Sequence, residues 1–267
     1  MSALLSVRDL QKTFGQVVAA RDINVDVPVG QTVGIIGANG AGKTTFVNMI
    51  TGHLKPSGGA IIFEGGAITG LPSRKIMRLG VARSFQVAQL FPTYTVFENL
   101  CAAIAIAHSG TSVFSAAVAR FVSDRTKGEA ETALAHFQIA PYRDALASTL
   151  PQGMRKLLDI AMATAGNPRL LLLDEPTSGI SLEEKFDLME VIMAALKARG
   201  TTVLFVEHDM EIVRRFADRV LAFYDGTVIA DGPPTVALDD PRVAEFITGT
   251  LIRAKDGTLK APTVSHA

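Results

Sequence analysis

The chain has 267 residues, 48% of them hydrophobic, which is apolar mass enough for one sizeable core or two smaller ones. Its 26 basic side chains balance 26 acidic ones, so no global field draws it to nucleic acid or to an anionic membrane surface. The single cysteine, Cys101, cannot close an internal bridge and fits a small core hydrophobe in a reducing compartment.

In chain order, the first fourteen residues carry charge by Arg8 and contain neither a long apolar run nor a small-residue cleavage site, which predicts a chain that stays in the cytosol. Alternating segments at Leu5–Val7, Val17–Ala19 and Ile23–Val27, separated by Phe14-Gly15 and Pro28-Val29-Gly30, predict an antiparallel β layer. Thr32–Ile36 is a continuous apolar strand running into a glycine-rich loop, and Thr44–Thr51 then carries apolar residues at helical spacing. From Glu98 to about Ala147 the pattern is helical and alanine-rich. Within it, Leu100–Val122 comes nearest to a membrane span, but His108, Ser109, Gly110, Thr111, Ser112 and Arg120 interrupt it and predict two soluble helices joined by a turn. Strands return at Leu170–Leu173 and Thr202–Val206. The expectation is therefore an α/β core with a helical subdomain inserted in it, followed after about Ala254 by a polar, disordered tail. No internal repeat is visible.

Gly37-Ala38-Asn39-Gly40-Ala41-Gly42-Lys43-Thr44 fits G-x-x-x-x-G-K-[ST] and lies where its mechanism requires, after a buried strand and before a helix. Glycines let successive backbone N–H groups turn inward around phosphates, and the helix N-terminus adds partial positive charge. Asn39, Gly40, Gly42, Lys43, Thr44 and Thr45 are the expected nucleotide contacts, with Lys43 reaching the β- and γ-phosphates and the Thr44 hydroxyl ligating Mg²⁺. Leu170–Leu173 ends in Asp174 and Glu175, as an interior strand delivering acids to a sheet edge does. Acidic strand ends are ordinarily solvated positions; beside the glycine-rich loop, Asp174 reads as a holder of Mg²⁺ through water and Glu175 as the base that polarises an attacking water. His208 follows the second buried strand, and as a lone histidine it makes no metal site by itself.

These features, with a glutamine in Ser84-Phe85-Gln86, the helical insertion and Asp174-Glu175-Pro176-Thr177, together resemble the ABC ATPase family over about residues 4 to 250. The resemblance implies a P-loop NTPase core with an N-terminal antiparallel β layer (1–86 and 156–253), an inserted helical subdomain (87–155) and a tail (254–267). It implies ATP and Mg²⁺ as cofactors, the metal being held by Thr44, Gln86 and Asp174. It also implies that Gln86 joins core to helical subdomain near the attacking water, and that His208 contacts the γ-phosphate. Phe14 matches the aromatic that stacks on adenine, while a core phenylalanine in a strand turn is an equal reading.

Within the family the stretches Arg21–Val25, Asn39–Thr45, Ala82–Gln86, Thr95–Leu100 and Glu207–Met210, and the longish insertion between Asn99 and Leu150, look like the hydrophobic amino acid importers. Such a resemblance implies a second ABC ATPase subunit, as heterodimer or homodimer, two transmembrane permeases and, indirectly, a periplasmic solute-binding protein. It places the chain on the cytoplasmic face of the inner membrane, with no nucleic-acid partner. Solutes of such systems include branched-chain amino acids, amides, urea and aromatic acids. A soluble ABC ATPase of DNA repair or translation is the alternative, opposed by the lack of a second P-loop motif or a heptad run. A non-hydrolysing regulatory subunit is opposed by Glu175.

Two elements depart from the family. Its Leu-Ser-Gly-Gly-Gln signature, which reaches the ATP of the opposite subunit, stands here as Leu150-Pro151-Gln152-Gly153-Met154, and proline has neither hydroxyl nor N–H to donate. In Ser178-Gly179-Ile180-Ser181 a serine stands where an aspartate commonly faces the partner's site. Both departures lie in elements that act across a dimer, which predicts in a heterodimer one strong and one weak ATP site; a tolerated subfamily variant with normal activity is an equal reading. A helix over Arg155–Met162 is expected to offer backbone donors behind the altered signature.

Overall fold

The computed structural model describes residues 3–84, 89–109 and 123–248, and the backbone of 252–253 and 259–260. Two compact units emerge, Met1–Pro72 with Phe205–Ala267, and Ser73–Leu204.

The first unit opens with β1 (Ala3–Phe14) and β2 (Val17–Pro28), paired antiparallel. Leu5, Val7 and Leu10 of β1 and Ile23, Val25 and Val27 of β2 are buried, while Ser6 and Arg8 point outward and bond the Asp26 carboxylate. That alternation is the two-residue period of a sheet covered on one face. β3 (Thr32–Gly37) is apolar without alternation because both its faces are covered, and it leads to α1 (Lys43–Ile50). β4 (Gly58–Phe63) and β5 (Gly66–Ala67) complete a four-stranded sheet in the order β2-β1-β4-β5.

The second unit begins with α2 (Ser73–Arg78) and β6 (Val81–Arg83), followed by α3 (Val96–Ser109), α4 (Asp124–His136), α5 (Gln152–Ala163), β7 (Leu170–Asp174) and α6 (Glu184–Ala198). α3 starts at a reciprocal capping box: the Thr95 N–H donates to Glu98 Oε2 at 2.8 Å and the Glu98 N–H to Thr95 Oγ1 at 3.1 Å. The fully buried Asn99 donates to the Phe91, Tyr94 and Thr95 carbonyls and accepts from the Phe91 N–H, which fixes the loop ahead of the helix. β6 and β7 pair in parallel. Cys101 is buried among these helices, and burial pushes its thiol up to about 11, so it behaves as the expected core hydrophobe.

β8 (Thr202–Val206) carries the chain back to the first unit, where α7 (Met210–Phe216), β9 (Arg219–Tyr224), β10 (Thr227–Gly232), α8 (Pro234–Ala237) and α9 (Pro241–Val243) follow. β9 runs parallel to β3 and antiparallel to β10. Of the expected helix pair over Leu100–Val122, α3 supplies the first member and 110–122 lie outside the described residues. The expected disordered tail also lies outside them, except that Leu259–Lys260 pairs antiparallel with Ile252–Arg253. Among the described residues no helix is long and apolar enough to cross a membrane.

Candidate nucleotide-binding site

The loop Gly37–Thr44 forms the expected strand–loop–helix joint between β3 and α1, and its shape rests on close backbone approach. A Cβ on Gly37 would meet the Phe223 carbonyl oxygen at 2.4 Å, and one on Gly42, whose φ is 101°, would meet the Ala19 carbonyl oxygen at 2.7 Å. Only glycine fits either position. Gly42 is also the N-cap of α1, where no side chain takes the first-turn N–H groups and no acidic residue sits in the first turn. Those donors and the helix dipole suit an anion. Lys43 is 6% exposed, and its ammonium donates to the carbonyls of Gly37 at 2.6 Å and Ala38 at 2.9 Å, spanning the loop from inside. Asn39, Gly40 and Thr44 are exposed and Thr45 half-buried.

A support that sequence reasoning missed stands behind the loop. Asp225 (φ 45°) and Gly226 (φ 72°) turn the β9–β10 hairpin in the two-residue form that needs two left-handed residues. The Gly226 N–H donates to the Ala41 carbonyl at 3.1 Å, and its own carbonyl accepts from the Arg21 N–H at 2.8 Å, tying the loop to β2. The signal was the Asp-Gly pair between apolar runs. Beneath α1, Phe46 packs on Phe223 with ring centroids 5.2 Å apart.

In the same unit, the Glu207 N–H donates to the Ile35 carbonyl at 3.2 Å, which sets His208 beside the end of β3 that feeds the loop. His208 is exposed, and Asp209 next to it caps α7 through the Glu211 and Ile212 N–H groups. Phe14 is 51% exposed at the tip of the β1–β2 hairpin, with Lys12 Nζ 4.9 Å from its ring centroid. The reading of Phe14 as a core residue is therefore corrected: a two-strand tip has no layer to bury it.

The second unit carries the acids. Asp174 closes β7, and its Oδ2 accepts from Arg83 Nη2 at 2.5 Å with both side chains largely buried. Arg83, at the end of β6, is a site residue the motif search did not single out. Glu175 is half-buried and holds φ at 47°, a left-handed backbone that a non-glycine residue adopts at a cost of about 1–2 kcal/mol. Strain of this kind clusters at functional positions. Gln86 lies outside the described residues; immediately downstream, the Gln89 N–H donates to Asp159 of α5 at 2.8 Å.

The altered signature forms the start of α5 itself. Leu150 is buried, Pro151 is the N-cap, and Gln152, Gly153 and Met154 make the first turn, so the helix begins three residues before the expected Arg155. The physical reason is that proline, with its φ fixed near helical values and no N–H to lose, suits a helix start. Gln152 lies against the other divergent loop: its Nε2 approaches the Ser178 carbonyl at 3.5 Å, and a Cβ on Gly179 (φ 76°) would collide with the same amide.

The glycine cradle fits a polyphosphate, and the Thr44 hydroxyl in the first unit and the Asp174 carboxylate in the second are each oxygen donors of the kind a hard dication takes. Among the described residues there is no cluster of three or more His, Cys, Asp or Glu able to hold a metal alone. Magnesium in phosphate sites does not need one.

Residues 20–178 match the family model described as ABC transporter. The chain is 36% identical over 250 residues to the high-affinity branched-chain amino acid transport ATP-binding protein BraF of Pseudomonas aeruginosa, covering 92% of this chain and 98% of that one. It is likewise 36% identical over 252 residues to the protein of the same description, LivG, of Escherichia coli K12, with 92% and 98% covered. Among solved structures, an ATP-binding cassette of an ABC transporter in its ADP conformation superposes with a TM-score of 0.82 at 30% identity, covering 92% of this chain and 98% of that chain.

Proposed function

The chain belongs to the ABC transporter family of ATP-binding proteins and is an ATPase of that family, and from that premise we propose that it energises the import of branched-chain or other hydrophobic amino acids, or related small solutes. The observation that carries this reading is the likeness to BraF and LivG along 92% of the chain. In this reading the subunit sits on the cytoplasmic face of the membrane, pairs with a second ATPase subunit and drives two permeases to which a periplasmic binding protein delivers the solute. The helical subdomain (87–155) is the arm that meets the permeases.

Each residue then has a task. The N–H groups of the 37–44 loop bind the β- and γ-phosphates, Lys43 turns from the Gly37 and Ala38 carbonyls to phosphate oxygens, and Phe14 stacks on adenine. Thr44 and Asp174, with Gln86, would hold Mg²⁺, which when bound neutralises phosphate charge. Glu175 accepts a hydrogen bond from the attacking water and draws off its proton, and His208 donates to the γ-phosphate. The arm is supported by hydrogen bonds within the second unit. The Val96 and Phe97 N–H groups donate to the Ala145 and Arg143 carbonyls, the Ala147 N–H donates to the Tyr94 carbonyl, and three residues further on Leu150 opens the signature. Displacement of the 91–97 loop by a permease would travel along this ladder to α5.

The divergent signature supports a further part of the reading: ATP held on this chain faces a partner's complete signature and turns over, whereas the partner's ATP faces Leu150–Met154 and turns over slowly. The first-turn N–H groups of α5 remain as donors, so the weak site is slowed and not dead.

The test is isolation of the native complex in mild detergent, identification of its subunits by mass spectrometry, and ATPase assay with and without Glu175→Gln. Two permeases, a second and different ATPase chain and loss of most activity are expected. Recovery of the chain free of permeases would replace this reading by the soluble ABC ATPase; a homodimer on the permeases would remove the asymmetric sites alone.

A further inference from the structure

A cleft of about 240 Å³ opens in the second unit among α3, α4, α5 and the end of α6, and neither acid of the Asp174-Glu175 pair lines it. Its floor is apolar, with Ile104, Ala133 and Ala161 all buried. Two opposite charges line it without pairing to each other among the described residues. Glu129 is held by Arg125 at 2.8 Å and His108 at 3.1 Å. Arg199 makes only long contacts, from Nη1 to the Thr164 carbonyl at 3.3 Å and to Asn167 Oδ1 at 3.4 Å, and its buried Nε has no partner among the described residues.

Arg199 is half-buried, with its Nε closed off and the rest of the guanidinium partly open. Burial lowers its pKa, with the Glu129 charge opposing that shift. The planar guanidinium is shaped to take a carboxylate on its two terminal nitrogens, and Nη1 here makes only contacts of 3.3 and 3.4 Å. A plain anion would satisfy Arg199 but meet Glu129; a plain cation would meet Arg199. A zwitterion satisfies both, and a mostly apolar pocket with a few convergent polar groups is the usual make-up of a small-molecule site.

We propose that this cleft binds a free α-amino acid with an aliphatic side chain, its carboxylate on Arg199, its ammonium on Glu129 and its side chain on Ile104, Ala133 and Ala161. Because α5 both walls the cleft and begins with the signature residues, the bound amino acid braces the helix that acts on the partner's ATP. The site thus reads the internal concentration of the solute; that this amino acid is also the imported one rests on the function proposed above. The glutamate carboxylate has lone pairs beyond the two its present partners use, so the ammonium need not displace them.

Titration calorimetry of the full chain with L-leucine tests the site, with 4-methylpentanoate, which lacks the amine, and leucinamide, which lacks the carboxylate, as controls. Saturable leucine binding is expected, weakened about tenfold or more by either control, and by Arg199→Gln or Glu129→Gln at unchanged ATP affinity. Absence of saturable binding up to about 10 mM leucine overturns the proposal. So does equal binding of 4-methylpentanoate, which would make the cleft a simple anion site. Should a variant fail to fold, leucine-induced NMR shifts of the Ile104 and Ala133 methyls in the unaltered chain decide: local shifts support the site and their absence overturns it. Leucine uptake by the reconstituted complex is measured separately. Binding here without uptake would sink the import reading and leave the site standing, and uptake without binding here would do the reverse.

Discussion

Arg83→Met removes the ion pair with Asp174 at the acid strand end, together with the arginine's other contacts. The pair is 2.5 Å long, and its side chains are 10% and 13% exposed. Methionine keeps most of the arginine's length while removing its charge, so the Asp174 carboxylate is left without this partner in a nearly closed environment. Breaking a buried pair from one side costs about 3–5 kcal/mol, because the surviving charge has given up water without recompense. The residual exposure sets the cost near the lower end, about 3 kcal/mol, and in a chain of this size that lowers the melting temperature by roughly 6–12 °C. Calorimetric melting at neutral pH without nucleotide measures it. Arg83→Met with Asp174→Asn removes both charges and should recover most of the loss, giving a coupling of about 2 kcal/mol in the double-mutant cycle. A single variant that melts within about 2 °C of the parent, with no recovery in the double, would refute the claim that Arg83 holds Asp174 in place.

Gly42→Ala and Gly40→Ala form a contrast. Both glycines have positive φ, 101° and 81°, but a Cβ at 42 strikes the Ala19 carbonyl whereas nothing lies within 4 Å at 40. Binding of a fluorescent ATP analogue should therefore weaken about tenfold or more in Gly42→Ala and distinctly less in Gly40→Ala, where only the strain of about 1–2 kcal/mol applies. Glu175→Gly should raise the melting temperature slightly by releasing its left-handed strain while abolishing hydrolysis, and Glu175→Gln should abolish hydrolysis without the gain; equal melting of the two would contradict a strained Glu175. Pro151→Ser with Gln152→Gly restores a hydroxyl and withdraws the amide from Ser178. Turnover at the partner's ATP should rise by about one to two powers of ten per recovered phosphate contact, read by single-turnover kinetics in the complex. Unchanged turnover would mark Leu-Pro-Gln-Gly-Met as a fully active variant.

The parts legible in the sequence are those whose physics is local. A phosphate loop is built from consecutive backbone N–H groups, so Gly37–Thr44 announces itself in eight residues; the flanking strand follows from an unbroken apolar run and the helix from an apolar period of 3.6. The Thr95–Glu98 capping box belongs to the same class. Short elements escaped: β6 has three residues and β4 opens on two glycines, too little for a period to register.

What tertiary structure alone decided are the pairings between distant residues. Arg83 finds Asp174 across 91 positions, and Gly226 props Ala41 from the far end of the chain. Gln152 settles on Ser178, and Arg199 and Glu129 come to one cleft from different helices. The exposure of Phe14 and the left-handed φ of Glu175 are of this kind too. Beyond the Asp225-Gly226 turn signal, none of them leaves a period or a motif, because a hydrogen bond or a buried charge is defined by which groups meet when water is expelled, and that depends on how the elements pack.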